Sequence, residues 1–283
     1  EFQMEKISTK GDKSTNAPLS RLGGVGLFTK ELEVALIKEK IDIAVHSAKD
    51  VPTEIHEGLM IGATPKREDP HDALISSNNS SLEKLPDNAR IGTSSLRRKA
   101  QLLAFREDYK ILDLRGNLDT RLEKLETEDM DAIVVAHAGL LRMNYTGQIS
   151  QIIPFDIMLP AVGQGSLFIE IRRNDTRIQK IVSGIDDEQT GIAIEAERSL
   201  LAKLQGGCQV PIGAYAEIHG KEVSIEAIIC TLDGDHAIRD RHSGHKDQAA
   251  KIGEELAQRM LENGGLKILH EVRKEFQGRI DHI

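Results

Sequence analysis

The chain has 283 residues, 39% of them hydrophobic and 29% charged, with a formal net charge of −8. That length fits two or three domains of about 100–200 residues each, and the acidic balance excludes general polyanion binding, which depends on a phosphate-neutralising basic surface. No apolar run nears the roughly 20 residues that a membrane helix needs, and Glu1-Phe2-Gln3-Met4-Glu5-Lys6 is unlike a secretory signal.

The alternation Phe2-Gln3-Met4-Glu5-Lys6-Ile7-Ser8 has strand period. A Gly/Pro-rich loop over 11–26 follows. A helix is expected over 29–40, with Thr29 as N-cap and Leu32, Ala35 and Leu36 on one face. Ile41-Asp42-Ile43-Ala44-Val45 reads as a buried strand that delivers His46-Ser47-Ala48-Lys49-Asp50 at its C-terminal end, where open α/β sheets bind ligands. Lys66-Arg67-Glu68-Asp69-Pro70 is a charged, proline-ended connector.

Strand and helix then alternate, with strands ending near Thr93, Leu114 and Ala138 and helices over 94–106 and 117–126. Such alternation indicates a parallel or mixed sheet covered by helices. Residues 154–165 read as a return crossing, and 166–172 as a strand that rejoins the first domain. The strongest helical pattern covers 187–204 and stops at the turn Gly206-Gly207-Cys208. A small antiparallel meander over 212–243 and two terminal helices, 247–262 and 265–276, complete an α+β unit. The expected domains are 1–65 with 166–184, then 71–159, then 187–283.

Several polar clusters fall at strand ends. Cys208 sits in Gly206-Gly207-Cys208-Gln209-Val210-Pro211, where the backbone can approach another group closely. Cys230, inside Ala227-Ile228-Ile229-Cys230, is read as a small core residue, which leaves Cys208 as a free thiol suited to a reducing cytosol. Asp50 beside Lys49 is either an acid–base group or half of a surface ion pair. Thr93-Ser94-Ser95 opens a helix and offers N–H and hydroxyl donors to a carboxylate or phosphate, alongside plain capping. Arg97 and Arg98 in that first turn oppose the helix dipole, which favours an anion between them. With Arg115, Arg121 and Arg142 they make basic loops on an acidic body, pointing to a specific anionic ligand.

Other patterns carry less. Gly23-Gly24-Val25-Gly26 lacks dinucleotide-binding spacing. His236, His242 and His245 are read as solvated side chains rather than a zinc site.

Taken in order, seven clusters resemble the porphobilinogen deaminase (hydroxymethylbilane synthase) family. They are Gly26-Leu27-Phe28-Thr29-Lys30-Glu31-Leu32-Glu33, His46 to Pro52, Arg67-Glu68-Asp69-Pro70, Gly92 to Arg98, Leu114-Arg115-Gly116-Asn117, Leu159 to Gly165 and Gly206 to Gly213. The resemblance implies an α/β fold: two domains like type II periplasmic binding proteins, with mixed sheets and a cleft between them, plus a small α+β C-terminal domain. It implies a transferase that deaminates four porphobilinogen molecules and joins them into hydroxymethylbilane for tetrapyrrole synthesis. The implied cofactor is a dipyrromethane held by a thioether to Cys208, and a soft thiolate suits the electrophile that porphobilinogen forms on losing ammonia.

By the same resemblance Asp50 is catalytic. Ser47, Lys49, Thr93, Ser94, Ser95, Arg97, Arg98, Arg115 and Gly116 bind cofactor, while Arg21, Arg121, Arg142 and Gln164 bind substrate. No metal, nucleic acid or membrane is implied, and the protein is expected to be a cytoplasmic monomer. Val25 stands where many members have lysine. The chain starts at what resembles the family's second strand, so the first domain is expected to lack its usual N-terminal strand and helix. Two other readings remain: a two-lobed protein that binds small anions without catalysis, and an inactive shortened form of the enzyme.

Overall fold

The structure is a computed structural model that describes residues 2–9, 26, 29–206 and 210–280. Its first stretch holds helix α1 (Lys30–Ile37), strand β1 (Ala44–Ser47), a 3-10 turn over Ala48–Asp50 and strand β2 (Leu59–Ala63). The second holds β3 (Asp72–Ser76), β4 (Arg90–Gly92), α2 (Leu96–Phe105), β5 (Lys110–Leu112), α3 (Leu118–Thr127), β6 (Ala132–Ala136), α4 (His137–Arg142) and β7 (Gln151–Ile153). After these come β8 (Leu167–Arg172), α5 (Thr176–Val182) and α6 (Glu188–Lys203). The last stretch is β9 (Ile212–His219), β10 (Glu222–Cys230), β11 (Ala237–His245), α7 (Ala249–Met260) and α8 (Leu266–Ile280).

Three sheets form among the described residues. The first has the order β1-β8-β2, with β8 antiparallel to both neighbours, Ala44 opposite Glu170 and Leu59 opposite Arg172. The second is mixed and runs β5-β4-β6-β3-β7: β4 lies parallel to β5 and β6, and β3 antiparallel to β6 and β7. The chain therefore leaves the first sheet after β2, builds the second, and returns as β8, so two connectors join these lobes. The third sheet is the antiparallel β11-β10-β9.

β6 shows why the middle sheet forms. Its sequence Ala132-Ile133-Val134-Val135-Ala136 is apolar throughout, as a strand covered on both faces must be. Ala132 and Val134 enter one buried cluster with Ile91 and Leu102, whereas Ile133 and Val135 enter another with Leu114 and Leu140. Side chains alternate across a strand, so one apolar run feeds two cores. α2, α3 and α6 start on side-chain caps: Ser95 accepts from Arg98 N, Asn117 from Thr120 N and Asp187 from Thr190 N. α6 and α7 cover one face of the third sheet, where Leu200, Ile225, Leu256 and Met260 are fully enclosed. A smaller cluster of Ala100, Leu159, Ile228 and Cys230 joins the third unit to the second lobe. Cys230 is buried there, and burial pushes its thiol up to about 12.

The first stretch departs from expectation. Residues 2–9 carry no regular structure, with Phe2 and Met4 standing 83% and 94% exposed. Alternation supplies a strand with two faces, but a strand also needs a hydrogen-bonded neighbouring strand, and among the described residues no strand pairs with residues 2–8. Thr29 precedes α1 without a side-chain cap hydrogen bond. The strand expected at 41–45 forms at 44–47, so its end lies nearer the polar cluster. The two terminal helices, by contrast, form as expected and are separated by a kink at Asn263 and Gly264, where Gly264 takes φ +107°.

Candidate active site

β1 alternates buried and exposed residues, which sends Ala44 and His46 inward and leaves Ser47 open. The chain then tightens into the Ala48–Asp50 turn, with Ala48 N bonded to Ser166 O at 3.0 Å. Gly163 must lie close behind this turn. A Cβ there would sit 3.1 Å from both the Ala48 carbonyl carbon and Lys49 N, and its φ of +74° disfavours other residues. Lys49 and Asp50 are accessible to solvent, yet protein surrounds them on most sides. That enclosure raises the Asp50 pKa, and the charges of Lys49, Arg121 and His46 oppose the rise without cancelling it. The same enclosure, with Arg98 and Arg97 nearby, lowers the pKa of Lys49.

Arg97 and Arg98 do have an anion between them, and it belongs to the chain. Arg97 Nη1 donates to Asp72 Oδ2 and to Leu159 O, both at 2.7 Å. Arg98 donates through Nε to Asp72 Oδ1 at 2.9 Å and through Nη1 to Val134 O at 2.9 Å. Both arginines are 5% exposed and Asp72 is fully buried, so these guanidiniums are largely committed to the interior. The paired arginines hold the Asp72 carboxyl far below the usual carboxylate range. Gln164, 1% exposed, joins the network by donating to Asp72 Oδ1 and to the carbonyls of Pro70 and His71. It ties the two connectors together and has no open face. Arg142 lies at the surface and donates to Gly165 O at 2.7 Å.

Arg115 and Arg121 are placed otherwise. Among the described residues Arg115 has only the exposed Asp113 within ion-pair range, at 3.7 Å, and its buried Nε has no hydrogen-bond partner there. Arg121 donates to the Gly116 carbonyl at 3.0 Å and pairs with no carboxylate among the described residues. Burial, then the charges of Arg98 and Arg115, bring the Arg121 pKa down to about 10. Near them, Ser94 uses its hydroxyl to bond Leu114 O and N, Thr93 Oγ1 accepts from Ser95 N, and Ser95 caps α2. Asp50, Lys49, Arg98, Arg115 and Arg121 thus form one electrostatically coupled group in which cations outnumber carboxylates.

A second buried carboxylate ties the three units together. Glu197 on α6 is fully buried and accepts from Arg67 Nη1 in one connector, Gly163 N in the other and Ala216 N in β9. Beneath Asp50, buried His46 meets buried Glu170 at 2.9 Å. Sequence reading passed over Asp72, Glu197 and Glu170. The adjacent arginines at the start of α2 were a usable signal for Asp72, since two buried guanidiniums require a buried anion. Cys208 and Arg21 lie outside the described residues. The histidines at 236, 242 and 245 form no metal-binding group among the described residues, and His242 and His245 sit on Glu255 and Asp247. A cavity of about 500 Å³ on the third unit is lined by Asp233, Asp235, Glu271 and Glu275 together with Lys274 and His236.

Fold and site together define a two-lobed α/β protein with a carboxylate set among cations that outnumber it, suited to a ligand bearing several carboxylates. Residues 1–180 match the family model "Porphobilinogen deaminase, dipyromethane cofactor binding domain", and residues 192–262 match "Porphobilinogen deaminase, C-terminal domain". The chain is 50% identical over 272 residues to the porphobilinogen deaminase of Desulforamulus reducens, covering 96% of this chain and 88% of that one. It is 48% identical over 274 residues to that of Pelotomaculum thermopropionicum, covering 97% and 88%. The chain belongs to the porphobilinogen deaminase family. Among solved structures, the periplasmic aliphatic sulphonate binding protein of Escherichia coli is similar at a TM-score of 0.36 and 14% identity, over 62% of this chain and 61% of that one. No helix among the described residues is long and apolar enough to cross a membrane.

Proposed function

We propose that this chain is a hydroxymethylbilane synthase, a transferase that deaminates four porphobilinogen molecules and joins them head to tail on a dipyrromethane bound through Cys208. The observation that carries this reading is the placement of Lys49 and Arg121 beside Asp50, with Arg115 next to Arg121, so that cations outnumber carboxylates there. Each pyrrole unit brings an acetate and a propionate, which supply the missing negative charge. The donor set therefore fits the dipyrromethane. When bound, that group supplies the terminal pyrrole carbon to which substrate units are added.

Lys49, Ser47, Arg115 and the residues opening α2 would hold the cofactor's side chains, with Gly116 placing Arg121 through its carbonyl. Arg121 and, at the surface, Arg142 would receive the substrate's carboxylates. Arg97, Arg98 and Gln164 serve the site from behind, as the buried frame that orients it. Arg98 also adds positive potential to the cleft, as its effect on Arg121 indicates. When the C–N bond of porphobilinogen breaks and ammonia leaves, the cation that remains is stabilised by the Asp50 carboxylate, which accepts from the pyrrole N–H. The enzyme works as a cytoplasmic monomer on this small-molecule substrate, with neither nucleic acid nor membrane as partner.

Two measurements test this. The intact denatured mass, compared with that of Cys208→Ser, should exceed the sequence mass by two linked pyrrole units in the parent chain only. Added porphobilinogen should release ammonia. A chain that neither loads nor releases ammonia overturns the reading, and reversible binding without turnover would mark a two-lobed anion-binding protein instead. The rate should also fall on acidification at a pH above the ordinary carboxylate range, because the Asp50 pKa is raised and the carboxylate form is the active one.

A further inference from the structure

Glu197 has a charged neighbour on α6 that faces the catalytic turn rather than the connectors. Arg198 donates through Nη1 to Val51 O at 3.0 Å and through Nη2 to Pro52 O and to Thr53 O, the last at 3.1 Å. Its guanidinium carbon also lies 5.3 Å from the centre of the Phe168 ring. Burial lowers its pKa, and among the described residues no carboxylate offsets that effect. An arginine held this way stabilises no charge partner. Its three hydrogen bonds go to successive main-chain carbonyls, and they fix the backbone that follows Asp50.

The surroundings strengthen the attachment. Ile194, one helical turn before Arg198 on the same face of α6, is buried in a cluster with Ala48, Val51 and Phe168. The turn is thus gripped at its front by an apolar side chain and at its back by a guanidinium. α6 runs on to Lys203, with Leu204 as its C-cap, four residues before Cys208 in the sequence. Only arginine suits the grip. Its planar fork reaches several acceptors at once, whereas the compact ammonium of lysine serves one point.

We propose that Arg198 is a positioning residue for Asp50, tethering residues 51–53 to α6, the helix that precedes Cys208 in the sequence, so that the carboxylate keeps its place. The inference rests on the role proposed above for Asp50. Asp50 is faced by Lys49 from its own turn, by Arg121 from α3, and by His46 from β1, which Glu170 of β8 backs. Arg198 touches none of these side chains in the described contacts, so its influence on Asp50 runs through the backbone.

The test compares the parent chain with Arg198→Met and Arg198→Lys. Hydrogen exchange without substrate should show amides in 48–53 opening at least about tenfold faster in Arg198→Met. With porphobilinogen, kcat should fall roughly 10- to 100-fold while KM changes little, the mark of misplacement rather than lost binding. The acid limb of kcat should move to lower pH, because a loosened turn lets water reach Asp50 and relieves the burial that raises its pKa. Arg198→Lys should recover only part of the rate, and it supplies the same three readouts if Arg198→Met does not fold. Unchanged exchange, or a kcat loss with an unmoved acid limb, overturns the proposal. A parent chain that never releases ammonia instead overturns the roles of Asp50 and Cys208, and the exchange data alone then decide whether Arg198 holds the turn.

Discussion

Arg97 and Arg98 at the start of α2, and Arg115 and Arg121 before and within α3, belong to the same lobe and differ in what answers their charge. The first pair closes on Asp72, with Leu159 O and Val134 O taking further donors. The second pair has one loose contact with exposed Asp113 and a backbone carbonyl, and Arg121 is driven down to about 10. A fully paired buried network organises an interior, and removing one member strands the others. Cations left unpaired in a partly enclosed cleft cost stability, and proteins keep such arrangements where a ligand completes them. The contrast separates the frame of this site from its working surface, although both are made of arginine.

The sharpest way to break this contrast is at Asp50 and Asp72, the carboxylates of the two regions. Asp50→Asn should lower the deaminase rate about 10²- to 10⁴-fold, the range for loss of a positioned acid–base group, with no drop in melting temperature. Asp72→Asn should destabilise the fold by about 3–5 kcal/mol, read from urea unfolding, because it leaves two buried guanidiniums facing a neutral amide. If the two variants traded these effects, the assignment of frame and surface would be reversed.

Smaller effects sharpen it. Arg121→Gln should raise the KM for porphobilinogen about tenfold, the scale of one charge-assisted contact. It should also leave stability unchanged or improve it by ~0.5–1 kcal/mol, since it removes a cation repelled by Arg98 and Arg115. A clear loss of stability would show that Arg121 has a structural partner. The smallest signal lies in the pH dependence of unfolding. The Asp72 pKa is depressed in the fold, so its contribution is complete above the unfolded aspartate value of about 3.9 and is lost as pH falls below it. Asp72→Asn should therefore flatten the stability profile below about pH 4, and an unaltered slope would assign acid sensitivity to other carboxylates.

Much of the fold was legible in the residues. The helix at 188–203 and the meander from Ile212 to His245 fall close to where periodicity and turn residues place them, because each has one apolar face and unambiguous ends. Leu167–Arg172 does rejoin the first sheet, as its central strand. Residues 2–8 carry strand patterning without forming a strand, since period-two patterning describes a face and says nothing about a partner. The site divides similarly. Asp50 and Lys49 stood out as a strand-end pair, and Arg115 and Arg121 as basic loop residues. Gln164 was expected at the substrate and lies buried between connectors, because no local pattern tells a ligand-facing amide from one whose Nε2 donates to backbone carbonyls 93 and 94 residues away.

The sequence by itself determined the alternation of elements, the turn that exposes Asp50, the concentration of arginine in the middle third and, through ordered motifs, the family. These are local or additive properties, fixed by residue types and spacing along the chain. Only the tertiary structure decided which arginines are spent on Asp72 and which have no such buried partner, and that Glu197 and Arg198 hold the connectors and the backbone after Asp50 from adjacent positions on one helix. Charge compensation depends on distance in space and on how much water is excluded, and neither is written in the order of residues.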